Sequence, residues 1–459
     1  MNFRCSRRTL LASSLAAAGG FALPALGWPA FPSATNATLD VAEPEFWYGA
    51  FRKLTLFGLS SAPGVGGVLS AFGGFLLPEH IEDPEDVRWR AYVKAVNKLI
   101  DAKIDDAVYN LVKADLAGIT KQVRAHNKAL ESGDPIHIRS TEDAINVYLI
   151  GIMPRFMEQG PLFRLLPLFV PAANIHLGLL RQAAQRARRN GEARVADDYA
   201  SQLDDYIHSY GGHYDRILAD QLKEVGQQHP HDHQGSRNEP WAAVLALRSN
   251  IQISLGDVRD CWPYFSERQH PGASRPRLDR ELLTPLLGSY YDCKQPFPTS
   301  LPSQPKPEGP IIGVGLGGYQ FLDGMELRYG AGKGPGRVRK TVIGGTGGKW
   351  TQIEDIEQLQ HIVAVDVGSG DAVNEIQLTF GDGSRSPRVG GGRPSKVVRY
   401  AYDGHRLSSV MGFGTASGYG GALSGCVFGF QLLQMEAPMT VDEPLRRHLN
   451  EVWPQALAL

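Results

Sequence analysis

A chain of 459 residues has room for about two to four domains. Its 47 Lys+Arg against 48 Asp+Glu give a formal net charge of −1, without the basic surplus that nucleic-acid binding or a polybasic membrane anchor requires. With 42% hydrophobic and 21% charged residues it can bury real cores, which excludes wholesale disorder, and four cysteines exclude a disulfide scaffold.

At the N-terminus, Arg4, Arg7 and Arg8 precede an apolar run from Leu10 to Leu26. Gly19, Gly20 and Pro24 interrupt the run, which is short for a membrane span of about 20 residues. The segment is set aside from fold reasoning as targeting sequence. Ser6-Arg7-Arg8-Thr9-Leu10-Leu11 resembles a twin-arginine export signal, so the mature protein is expected to be periplasmic or secreted. Small residues for cleavage stand at Ala25-Leu26-Gly27 and again at Thr35-Asn36-Ala37, so residues 1–37 are read as signal and cleavage region. Once Cys5 is removed, Cys261 and Cys293 either bridge or remain thiols, and Cys426 is expected to be buried.

From 44 to 270 the pattern is helical. Tyr92, Val96, Leu99, Ile100, Ile104, Val108, Leu111 and Val112 recur at spacings of three and four, one face of an amphipathic helix. Val195, Tyr199, Leu203, Tyr206, Ile207, Tyr210, Tyr214 and Ile217 form a second stripe, with Asp197, Asp198, Asp204, Asp205 and Asp215 turned to water. Between them, Leu165 to Leu180 reads LLPLFVPAANIHLGLL, sixteen residues without a formal charge. A helix apolar all round is buried on all sides or inserted in a membrane, which predicts the centre of a bundle. Asn174 and His176 inside it then need buried hydrogen-bond partners.

Leu165–Arg181 resembles the central-helix block of the three-domain insecticidal crystal toxins, the delta-endotoxins. Four further blocks agree in order. Pro63–Gly67 with Phe72–Pro78 resembles their first helices, and Asn97–Ile104 their third. Ser254–Phe265 resembles the end of their seventh, and Leu278–Pro285 the strand that leads into their second domain. The resemblance covers about 44–290. It implies a pore-forming bundle whose hairpin, near 141–158 and 161–188, leaves the bundle and inserts. Asp143, Arg155 and Glu158 would then face a lumen or the interface, away from lipid. It further implies a target-cell membrane and receptor glycans as partners, and homo-oligomers on the membrane. The family's third domain is not expected, since only the tail 434–459 follows the β region.

Pro-rich residues 271–310 connect to a Gly-rich half, 311–433, which is an internal triplet. Leu322–Tyr329, Val373–Phe380 and Leu423–Phe430 align, placing Met325, Ile376 and Cys426 51 and 50 residues apart. Each unit alternates with period two, the strand signal, and upstream strands correspond through Ile312–Val314, Ile362–Val365 and Leu407–Val410. Threefold repetition of antiparallel units predicts a β-prism. The fold class is therefore multi-domain α then β: an N-terminal helical bundle with a central apolar helix, then a threefold β-prism.

This half resembles jacalin-like lectins. Gly370-Asp371-Ala372-Val373-Asn374 looks like their sugar loop, with Asn374 where Asp is usual; Asn keeps a carbonyl acceptor and adds donors. The third unit has Ser424 in that place, and the first has Asp323 with Gly318 one residue too early. The alternative is that these glycines serve tight turns with positive φ. Gly344–Trp350 fails as a phosphate loop because Trp350 takes the Ser/Thr position and Ile343 that of the first glycine. His229, His231 and His233 lack a fourth metal ligand. Neither Gly-x-Ser-x-Gly nor His-Glu-x-x-His occurs, so no enzyme, metal or cofactor is expected. Two functions remain: a secreted pore-forming toxin-like protein of the delta-endotoxin type with a glycan-binding prism, or a secreted lectin whose bundle is a scaffold.

Overall fold

The computed structural model describes residues 106–433, apart from 159–161, 229–238, 271–277, 279, 289–308, 331–337, 371, 393–395, 403, 413–414 and 417–421. Most of the Tyr92–Val112 stripe, the signal region, Cys293, the three histidines near 230 and the 434–459 tail lie outside the described residues.

Four long helices form the bundle: α1 (Asp106–Ser132), α2 (Pro135–Glu158), α3 (Leu162–Arg189) and α4 (Ala193–Gln228). A shorter α5 (Glu239–Ile251) runs through a π-helical turn, Gln252–Gly256, into α6 (Asp257–Cys261) and a 3₁₀ turn, Trp262–Phe265. Every residue from Leu165 to Leu180 is buried, so the uncharged segment is the bundle's central helix. The helix continues through Pro167 and Pro171, each of which removes one donor from the ladder. Packing on all sides supplies what the backbone loses. The Tyr stripe of α4 faces this helix, with Tyr199, Leu203, Ile207, Tyr210, Tyr214 and Ile217 all buried.

Three antiparallel four-stranded sheets follow. The first orders as β5-β4-β3-β6, with β3 (Ile311–Gly318), β4 (Leu322–Gly330), β5 (Val338–Gly344) and β6 (Lys349–Ile353). The second orders as β10-β7-β8-β9, with β7 (Ile362–Ser369), β8 (Val373–Phe380), β9 (Val389–Gly390) and β10 (Val397–Ala401). In the third, β14 (Gly425–Leu432) pairs with β11 (His405–Gly412) and with two segments from the connection, β1 (Glu281–Leu283) and β2 (Leu287–Gly288). A two-stranded ribbon, β12 (Thr415–Ala416) with β13 (Ala422–Leu423), completes the domain. The aligned residues of the triplet point the same way. Met325, Ile376 and Cys426 are fully buried, as are Leu327, Leu378 and Phe428, and all three sheets share one core.

The connection ties bundle to sheets. Arg280 donates to both Asp257 carboxylate oxygens, Nε–Oδ1 at 2.7 Å and Nη2–Oδ2 at 2.6 Å, and its Nη1 reaches His405 Nε2 at 2.6 Å. Ser249 Oγ donates to the Leu283 carbonyl at 2.7 Å and accepts from the Leu283 N–H. Leu245 of α5 packs with Leu286 and Val427.

Candidate functional site

Two places carry the functional expectations: the central helix, and the loops that open the second strand of each repeat.

On α3, His176 and Asn174 are fully buried, and both find partners. His176 Nε2 lies 2.7 Å from Asn146 Oδ1 on α2, and its Nδ1 lies 2.7 Å from the Tyr210 hydroxyl on α4. Since the Asn146 carbonyl can only accept, the ring is neutral with its proton on Nε2, and Tyr210 donates to Nδ1. Burial lowers the imidazole pKa to about 3. Asn146 closes the chain by donating to Gln202 Oε1 at 3.0 Å. Asn174 Oδ1 accepts from Trp262 Nε1 at 3.2 Å, while its amide nitrogen finds no partner among the described residues. Phe169 fills the space between, edge-on to Tyr210 and Trp262.

Charged contacts flank this layer. The buried Glu142 on α2 accepts two bonds from Arg186 Nε on α3, at 2.9 and 3.1 Å, with Arg186 Nη2 also against Oε2. Desolvation raises the Glu142 carboxyl pKa even against that cation. At the other end of α2, Arg155 donates to Asp115 of α1 at 2.8 Å. Tyr199 of α4 donates to Asp143. The outer face of α2 is different. From Ala144 to Pro154 it carries no charge, and Val147 is 69% and Ile150 41% exposed.

In the β domain the repeat loops meet at one end. Phe321, Ala372 and Ala422, one from each unit, form a small buried cluster there. The first two units make the same turn, with Tyr319 N–H bonded to the Phe321 carbonyl at 3.1 Å and Gly370 N–H to the Ala372 carbonyl at 3.0 Å. Tyr319 therefore occupies the place of Gly370, which explains the apparent one-residue offset of Gly318. Gly370 is exposed and stays outside the left-handed region, contrary to the tight-turn alternative, and a Cβ there would meet only Asn374 Nδ2, 3.8 Å away. Asn374 is 7% exposed and its carbonyl accepts from Gly391 N–H, while Ser424 is fully buried. Asp371 lies outside the described residues. Asp323 is half-buried, and among the described residues no donor or cation reaches its carboxylate; desolvation raises its pKa. The glycine-rich segment 344–350 carries no complete binding motif in sequence, yet Gly347 and Gly348 pack directly on Asp323. No cluster of metal-ligating side chains occurs among the described residues.

Residues 54–265 match the family model for the delta endotoxin N-terminal domain. The pesticidal crystal protein Cry1Id of Bacillus thuringiensis is 25% identical over 217 residues, which are 44% of this chain and 28% of that protein. The chain covers a third or less of the length of such curated relatives. The insecticidal crystal protein Cry7Ca1 of Bacillus thuringiensis superposes with a TM-score of 0.65 at 17% identity, over 85% of this chain and 75% of its own. The PirB crystal structure gives 0.62 at 15% identity, over 87% of this chain and 97% of its own. The helical region thus belongs to the delta-endotoxin N-terminal domain family, and the chain carries it ahead of a β domain in the order of the crystal-toxin fold.

Proposed function

We propose that this is a pore-forming, toxin-like protein of the delta-endotoxin type, exported through the twin-arginine-type signal at its N-terminus. In this reading the β domain gathers the protein on target-cell glycans, and the α2–α3 hairpin then leaves the bundle and enters the membrane, where copies assemble. The observation that carries it is the central helix: sixteen uncharged residues, all buried in the closed bundle, whose backbone would remain self-satisfied in lipid. By length and composition α3 is apolar enough to cross a bilayer, as the core helix of a soluble protein also can be. A second feature supports the hairpin as the moving unit. The Glu142–Arg186 and Asn146–His176 contacts lie within it and travel with it, whereas the Tyr210, Gln202, Tyr199 and Asp115 contacts must break. The uncharged outer face of α2 suits lipid better than a lumen; only Asp143 and Arg155 bound it with charge.

Dye release from liposomes tests the reading. The mature protein, with and without protease treatment, is expected to empty vesicles bearing a recognised glycan. Glycan binding without release under either condition would favour the secreted-lectin alternative.

A further inference from the structure

The outward positions of β3 are Gly313, Gly315 and Gly317, and planar groups lie where their side chains would stand. A Cβ at these positions would fall 2.8 Å from the Arg328 guanidinium carbon, 3.0 Å from the Gln352 amide and 2.3 Å from the Trp350 indole. Three indole ring atoms stand within 2.3–2.7 Å of that point above Gly317, so the ring rests on the glycine by its face. Trp350 is partly exposed. Trp350 Nε1 donates to the Thr346 carbonyl at 3.2 Å, which fixes the ring from the glycine-rich turn. Arg328 holds the row in register, donating to Glu354 at 2.5 Å and to Gln352 at 3.1 Å.

At the Trp350 end of the row stands the Asp323 carboxylate. Gly348, with φ +70°, passes so close that a Cβ there would lie 2.5 Å from Asp323 Oδ2 and 2.6 Å from Gly318 Cα. Gly348 thus packs against one oxygen of the half-buried carboxylate, and among the described residues no donor reaches the group. Charges along the row are balanced, Lys340 and Arg328 against Glu326 and Glu354.

We propose that the outer face of the first sheet, with Trp350 flat on Gly317 and Asp323 at its end, binds a neutral pyranose glycan. The C–H face of a sugar ring stacks on the indole, its hydroxyls donate to the Asp323 carboxylate, and the next residue lies over Gln352 and Arg328. A balanced row with one unsatisfied acceptor suits a polyol better than an anion. This inference rests on the glycan-binding reading of the β domain and moves its site from the Gly370–Asn374 loop to the sheet face.

The test uses the full mature chain on a printed array of neutral and sialylated hexose oligosaccharides, with melting curves for every variant. Neutral glycans should be retained by the wild type. Trp350→Ala should weaken retention at least tenfold, Trp350→Phe less than threefold, and Asn374→Ala should leave it unchanged. Asp323→Asn should weaken retention several-fold without lowering the melting temperature, because among the described residues no donor or cation pairs with the carboxylate. Asn374→Ala losing retention while Trp350→Ala and Asp323→Asn keep it would overturn the sheet-face site but leave glycan binding standing. A wild-type chain that captures no glycan would overturn both.

Discussion

The two cores of this molecule differ in how their parts are joined. The β domain packs three copies of one apolar pattern, so Met325, Ile376 and Cys426 occupy equivalent places and need no polar partner. The bundle instead buries Glu142, Asn146, Asn174 and His176 and joins its helices through them. Apolar contact is non-directional and tolerates sliding, whereas a buried polar group is satisfied in one arrangement and penalised in others. The difference means that the helices are held in one arrangement by a few named contacts, whereas the sheets are held by a repeated apolar pattern.

Locking the helices together should abolish the release proposed for the bundle. A disulfide between α3 and α4, at a site where the Cα atoms approach within about 7 Å, should leave folding intact and eliminate dye release until reduced. Equal release in both redox states would end the hairpin reading. Arg186→Met strands the buried Glu142 carboxylate and should cost about 3–5 kcal/mol in denaturant unfolding. Replacing both residues by apolar ones should recover most of the loss, because neither charge then remains buried.

Acid should probe the same asymmetry. His176 has its pKa lowered to about 3 in the fold by burial, so between roughly pH 6 and pH 3 the unfolded chain binds a proton that the folded one refuses. Stability should therefore fall on acidification through that window, by up to about 1.4 kcal/mol per pH unit from this group. His126, lowered to about 4 mainly by burial and secondarily by Arg186, adds to the slope. Urea melts of His176→Gln across this range should show a shallower decline. Asn174→Leu leaves the Trp262 N–H without its acceptor and should cost about 1–3 kcal/mol with glycan binding unchanged; lost binding at an unaltered melting temperature would contradict its place in the core. The β core is the control. Ile376→Val should cost only about 0.5–1.5 kcal/mol, with no pH dependence.

The central helix was legible because a sixteen-residue uncharged run has few places to go in a folded chain, and its neighbours carry amphipathic stripes at helical spacing. The triplet was legible because period-two alternation repeats at nearly constant distance. What remained hidden depends on contacts between distant segments. Nothing in the local sequence pairs His176 with Asn146 and Tyr210, or Arg280 with Asp257 and His405. The glycine-rich turn at 344–350 shows in sequence only a phosphate-loop pattern that fails at Ile343 and Trp350. Its relation to Asp323 arises only when β6 folds back beside β3. Counting along the chain placed Gly318 one residue too early for the Gly370 position, and the shared turn gives that position to Tyr319.

The pairing of β1 with β14 has a kinetic meaning. The first two sheets contain strands from within about 45 residues each, so they can zip up as local hairpins while the chain is still incomplete. The third cannot: Glu281 opposes Gln431, 150 residues later. Closure of that loop carries the entropic cost of a long-range contact and waits for nearly the last described strand. Arg280, one residue before β1, meets His405 through the same closure, so the contact between bundle and sheets should form late in refolding.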